Sequence, residues 1–245
     1  FVTCPYANMV LGGLRGIDDI TQSYDGLRAR GVRLVADWVD GIDPVAKTLR
    51  LRGGASLSYD RLILSPGIAL RWGAIEGYDE AASQVMPHAW VQGDGTQTML
   101  LRRKLEAMLD GGVVGIAIPG NPYRCPPGPY ERISMIAHYL KQHKPRSKVL
   151  ALDAKDTFSK QAVFQDGWKQ LYGGMVEWVP LSGGGRVVRA DPAAGVLETE
   201  FGTQHKVAVA NVIPSQSAAR IAIDAGLADR SGWVTVDPRS FEAKA

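Results

Sequence analysis

The chain has 245 residues, 45% hydrophobic and 22% charged, with a formal net charge of +3. This is an ordinary globular balance, enough for one large domain or two ordinary ones. The basic residues are spread along the chain without interleaved aromatics, so no nucleic-acid surface is expected, and no apolar stretch approaches the ~20 residues of a membrane span.

In chain order, Ile17, Ile20, Tyr24 and Leu27 repeat at helical spacing, and Gly31 stops the helix. Residues 32–36 read as a buried strand. Residues 47–51 and 55–59 form a predicted hairpin around Gly53-Gly54. Residues 62–64 read as a short apolar strand running into Ser65-Pro66-Gly67, and residues 71–92 as a connection. A second unit opens with an amphipathic helix over 96–109, ended by Gly111-Gly112. A strand at 113–118, a proline-rich loop at 119–129, a helix at 130–143 and a strand at 148–152 ending at Asp153 predict parallel strands joined by a crossover helix. Further strands are expected at 176–179, 186–190 and 196–199. From Lys206 the pattern changes: a strand at 207–213, a short helix at 217–225 and a last strand or turn at 232–237.

The loop after the 113–118 strand sits where a dinucleotide fold places its glycine-rich turn. Pro119, Pro122, Pro126, Pro127 and Pro129 offer no N–H to a phosphate, and the G-x-G-x-x-G spacing is absent. Asp153 stands where a ribose-binding acid often sits, but without the glycines it reads as a strand-end residue. The loop does present Cys125 just before a helix N-terminus, beside Arg124, a position that favours a thiolate. A small residue in a rigid proline loop is the competing reading. Glu131 is either a proton acceptor for Cys125 or a plain dipole-favoured residue of the first helical turn. Cys4 and Cys125 are too few for a disulfide framework. His88, His138, His143 and His205 are too scattered for a metal site, so none is expected.

Two stretches together are specific: Thr3-Cys4-Pro5-Tyr6-Ala7-Asn8 at the start, and Arg124-Cys125-Pro126-Pro127-Gly128-Pro129-Tyr130-Glu131-Arg132. With Tyr24-Asp25-Gly26-Leu27-Arg28-Ala29, Tyr59-Asp60-Arg61, Pro87-His88-Ala89-Trp90, Thr157-Phe158-Ser159-Lys160-Gln161 and Asn211-Val212-Ile213-Pro214, they make the chain resemble the flavoprotein subunit of flavocytochrome c sulfide dehydrogenase, a relative of sulfide:quinone oxidoreductases. The resemblance implies an α/β fold with two dinucleotide-binding-type, Rossmann-like domains. The FAD domain is discontinuous: residues 1–76 and 206–245 belong to it, and 77–205 form the second domain without nucleotide-binding glycines. It implies FAD held covalently through Cys4, a redox-active disulfide using Cys125, Glu131 as a base near the flavin, Trp38 near the adenine, and Pro66 and Gly67 in the FAD-binding domain.

The resemblance further implies oxidation of sulfide to sulfur or polysulfide, a haem-bearing cytochrome c subunit as partner, and a periplasmic location. The chain starts at Phe1 and stops at Ala245, so truncation at both ends is expected. The FAD glycine turn and the second redox cysteine then fall outside it, and this stretch alone is expected to be inactive. The competing readings are a sulfide:quinone-type enzyme, a pyridine-nucleotide-dependent flavoprotein reductase, which the proline loop disfavours, and an inactive flavin-fold interaction subunit.

Overall fold

The computed structural model describes residues 1–90 and 93–244. The last two residues of the expected connection, Val91 and Gln92, and the terminal Ala245 lie outside them. The elements run α1 (Ala7–Leu11), α2 (Asp25–Arg28), β1 (Val39–Asp43), β2 (Thr48–Leu51), β3 (Ser56–Ser58), β4 (Ile68–Leu70), α3 (Thr96–Ala107) and β5 (Val113–Ile118). They continue through α4 (Gly128–His143), β6 (Lys148–Asp153), α5 (Gln161–Tyr172), β7 (Val176–Val179), β8 (Val187–Asp191), β9 (Val196–Thr199) and β10 (Gln204–Lys206). They end with β11 (Val209–Val212), β12 (Gln216–Ala218) and α6 (Arg220–Asp224).

One compact unit comprises Phe1–Gln22 and Arg71–Ser215. The described residues build its centre as a parallel sheet in the order β11-β5-β6-β7. β5 is an almost wholly apolar run, buried from Val114 onward, as a strand covered on both faces must be. Gly115 within it has a packing reason, because a Cβ there would stand 2.7 Å from Val207 Cγ1. α4 carries Glu131 in its first turn and Lys141 and His143 in its last, charges that suit the helix dipole. Its Ile133, Ile136, Ala137 and Leu140 are fully buried in the core it shares with β5 and β6. The strand–loop–helix–strand unit read from the sequence is thus present. α5 was not anticipated: its Trp168 is buried, but Val163 and Leu171 are exposed and blur the apolar stripe. β8, β9 and β10 form a separate antiparallel sheet in this unit.

The other unit comprises Ser23–Leu70 and Gln216–Ala245. β1, β2 and β3 form an antiparallel sheet, with the expected hairpin turning through Gly54 at φ 89°. The expected strands at 32–36 and 62–64 do not form. Val32, Val35 and Ile63 are exposed, and the ladder forms at β4 instead, paired with β12. Apolar β-formers make a strand only where a neighbouring chain offers a ladder. The same pairing claims the start of the helix expected at 217–225, leaving only α6. The helix expected across Ile17 to Leu27 is broken into a 3₁₀ turn at Asp18–Ile20 and α2. The stretch 232–237 makes isolated bridges, Ala228 with Val234 and Val236 with Ala243.

The compact units divide after Gln22, Leu70 and Ser215. The N-terminal segment is tied within its own unit, with Thr3 N–H donating to Ile20 O at 2.9 Å and Gln22 N–H to Phe1 O at 2.8 Å. β11 belongs to the sheet of β5, so the chain leaves that unit only after Ser215.

Candidate functional site

The loop between β5 and α4 holds Cys125 at φ 60°, a left-handed conformation that a non-glycine residue rarely takes. Gly128, the first residue of α4, presses close. A Cβ there would lie 3.1 Å from Cys125 Sγ and 2.8 Å from Trp90 Cη2. The expected thiolate is not favoured. Partial desolvation of the sulfur and the charge of Glu131 push the Cys125 thiol up, while the Gly128 N–H and Arg124 pull against them. Pro126, Pro127 and Pro129 hold the cysteine and offer no N–H groups to a negative sulfur at the helix start. Arg124 is drawn aside, donating to the Trp90 carbonyl.

Cys4 lies before α1 in the same unit and opens on a cavity of about 440 Å³ lined by Thr3, Pro5, Tyr6, Arg15 and neighbours. The Arg15 guanidinium stands 5.3 Å from the Tyr6 ring centre. Both thiols are free, and negative charge on Cys4 is one of the influences that push the Cys125 thiol up.

The residue that joins these segments is Arg132, which the sequence reading quoted in its motif without giving it a role. It is 2% exposed. Its Nε donates to Asn8 Oδ1 at 3.1 Å, one terminal nitrogen donates to His88 O at 3.0 Å and Asn211 Oδ1 at 2.9 Å, and the other to Ala89 O at 2.6 Å. It lies 5.1 Å from the Trp90 ring centre, and Asn8 Nδ2 in turn donates to Gly128 O at 3.2 Å. Four motifs far apart in sequence thus meet at one guanidinium. None of its acceptors is a carboxylate, and among the described residues no carboxylate reaches it as an ion pair. Burial lowers its pKa to about 10, and negative charge on Cys4 or Cys125 holds it up. His88, buried and next to this charge, is lowered to about 4 and is neutral at neutral pH; its Nδ1 accepts the Trp90 N–H at 2.9 Å. The Trp90 Nε1 donor is buried without a partner among the described residues.

Asp153 ends β6 as expected, but it is fully buried and engaged on both oxygens. Oδ1 pairs with Lys155 Nζ at 2.6 Å, and Oδ2 accepts the Tyr130 hydroxyl at 2.6 Å and Trp178 Nε1 at 3.0 Å. Lys155 also donates to Pro119 O at 3.0 Å. Phe158 stacks on Tyr130 at 3.6 Å between ring centres and meets Trp178 edge-on. Phe158 and Trp168, left without a role in the sequence reading, close this aromatic cluster.

Glu131 is exposed beside Arg132 in the first turn of α4. Trp38, Pro66 and Gly67 belong to the other unit. There Trp38 is 71% exposed, with the Arg52 guanidinium 5.6 Å from its ring, and Gly67 has φ 79°. The described residues contain no group of His, Cys, Asp and Glu fit to hold a metal ion, and no helix long and apolar enough to cross a membrane.

A parallel sheet, a crossover helix and a ligand-facing loop at the strand ends define a Rossmann-like α/β protein. The structure is similar to that of the sulfide:quinone oxidoreductase from Aquifex aeolicus, with a TM-score of 0.72 and 17% identity over 96% of this chain and 56% of that one. Residues 98–214 match the family model of the sulfide dehydrogenase [flavocytochrome c] flavoprotein chain, central region. Among curated proteins, the chain is 23% identical to the mitochondrial sulfide:quinone oxidoreductase of Dictyostelium discoideum, over 85% of this chain and 55% of the relative. To that of Mus musculus it is 22% identical, over 98% and 54%. It spans about half the length of these relatives. The chain is thus similar to the flavocytochrome c sulfide dehydrogenase flavoprotein over its central region and to sulfide:quinone oxidoreductases along most of its length.

Proposed function

We propose that the full protein oxidises sulfide with FAD and passes the electrons to a haem on a cytochrome c subunit, in the periplasm. The observation that carries this reading is the convergence of Cys4, Cys125, Glu131 and the buried Arg132 charge in one unit, with both thiols free and electrostatically coupled. The residues around Cys4 fit a flavin: the sulfur opens on a cavity of about 440 Å³ with an aromatic and a cationic wall. Cys4 would hold FAD through a thioether, and the same reading assigns Trp38, Pro66 and Gly67 to the cofactor. Bound there, FAD supplies a two-electron acceptor beside the cysteine loop.

Cys125 forms, in this reading, a disulfide with a second cysteine that these 245 residues do not contain. Hydrosulfide attacks that disulfide: one S–S bond breaks, another forms to the incoming sulfur, and a persulfide and a thiolate result. Glu131 takes up the persulfide proton as that sulfur ionises. The raised thiol of Cys125 makes it a good nucleophile once ionised and a poor leaving group, so the loop retains the sulfur it has captured.

The test is the intact mass of the denatured full-length protein beside its Cys4→Ser variant, together with sulfide turnover of Cys125→Ser. An FAD-sized increment lost in Cys4→Ser and turnover lost in Cys125→Ser support the reading. Full turnover by Cys125→Ser overturns it. A sulfide:quinone reaction is the second reading, favoured by the names of the curated relatives. Reduction of a soluble quinone in place of cytochrome c selects it.

A further inference from the structure

Arg132 is a buried cation with only neutral acceptors: two backbone carbonyls and the side-chain amides of Asn8 and Asn211. Buried charges ordinarily carry a counter-charge or take up a role that needs the field. The guanidinium is also wired to both cysteine segments. Asn8, four residues after Cys4, links it to the Gly128 carbonyl, and the Trp90 ring, 5.1 Å from the guanidinium, also closes on Gly128, where a Cβ would meet both it and Cys125 Sγ. The indole N–H of Trp90 is a buried donor with no partner among the described residues, so this pocket has surplus positive and donor character and no anion to meet it.

We infer that Arg132 is the positioning residue of the sulfur site, its buried charge stabilising an anionic sulfur on Cys125 while its hydrogen bonds hold the Cys4 and Cys125 segments at fixed separation. The inference rests on the sulfide reading only for its purpose; the effect on Cys125 belongs to the chain itself. The charges that act on Cys125 come from Glu131 in α4, Cys4 in the N-terminal segment and Arg124 in its own loop, and a charge on Cys125 in turn raises the pKa of Tyr123 and of Arg132. Glu131, Cys4 and burial oppose ionisation. Arg124 favours it from a side chain turned toward the Trp90 carbonyl. Arg132 is the fully buried cation of the set, where the field is least screened.

The experiment uses the full-length protein, its thiols reduced with a phosphine, and follows iodoacetamide alkylation of Cys125 by peptide mass spectrometry as a function of pH. In Arg132→Met the alkylation midpoint is expected to rise by about one pH unit, an approximately tenfold slower reaction at neutral pH, and Arg132→Lys to recover most of the rate. A folded Arg132→Met with an unchanged midpoint overturns the inference, as does an Arg132→Lys no faster than Arg132→Met. If Arg132→Met does not fold, Asn8→Asp serves instead, setting a carboxylate against Arg132 Nε. Its midpoint is expected to rise by a similar amount, and an unchanged midpoint overturns the inference. The readout needs no sulfide. A shifted midpoint in a protein without sulfide turnover leaves the role of Arg132 standing and removes the sulfide reading.

Discussion

Lys155 and Arg132 are both buried cations of the unit built on β5 and β6, and their surroundings differ in one respect. Lys155 stands against a carboxylate, Asp153, whose other oxygen is taken by Tyr130 and Trp178. Arg132 is surrounded by carbonyls and amides, and the negative charges that hold its pKa up are those of Cys4 and Cys125. The first arrangement is self-contained. Burial lowers the Lys155 pKa and the Asp153 carboxylate opposes that shift, and with both Asp153 oxygens engaged the pair has little left to offer a ligand. The second is open, since its field ends on sulfur. A buried charge that is internally neutralised serves packing, whereas one left without a counter-charge marks where chemistry supplies the anion.

Removing a partner from the closed site should have the largest effect on stability. Asp153→Ala strands the Lys155 ammonium and two further donors, the Tyr130 hydroxyl and the Trp178 indole, and is expected to cost about 3–5 kcal/mol in urea unfolding while leaving Cys125 alkylation unchanged. A loss of reactivity equal to that of Arg132→Met would erase the distinction between the two sites.

The next effect is on acid stability at the open site. His88 is lowered to about 4 in the folded protein by burial and by Arg132, against about 6.5 when unfolded. The unfolded chain therefore takes up the proton first. The stability that neutral His88 brings is complete above about pH 6.5 and is lost as pH falls through about 4, a contribution of up to about 3 kcal/mol. Unfolding of the wild type and of His88→Gln across that window checks this, and a wild-type slope no steeper than the variant's would break it.

The smallest effect tests the spacing of the sulfur loop. Gly128→Ala brings a Cβ within 2.8 Å of the rigid Trp90 ring and 3.1 Å of Cys125 Sγ. It is expected to cost about 1–3 kcal/mol and to alter the Cys125 alkylation rate, both measurable on the same preparation.

Much of the closed architecture was legible in the sequence. The apolar run of β5, the helical period of α4 and the Gly53-Gly54 hairpin are local signals, and each formed where expected. The strands at 32–36 and 62–64 were misread because their apolar residues carry no information about whether a ladder partner exists. α5 was missed because Val163 and Leu171 face outward. At the site, the proline loop pointed to Cys125, but its missing N–H donors were weighed only against a phosphate and not against the sulfur, so the upward push on the thiol went unseen. Arg132 gave no signal of its role, since its side-chain partners Asn8 and Asn211 lie 124 and 79 residues away. Only the fold brings them to one point.

In many proteins of this architecture the acid closing the second strand selects a coenzyme by holding its ribose. Asp153 has been converted from a selector into a keystone, with a phenol, an indole and an ammonium already in its grasp. Restoring glycines to the neighbouring loop would not make this chain accept NADH. An engineer would first have to dismantle the masonry that keeps α4 seated on its sheet.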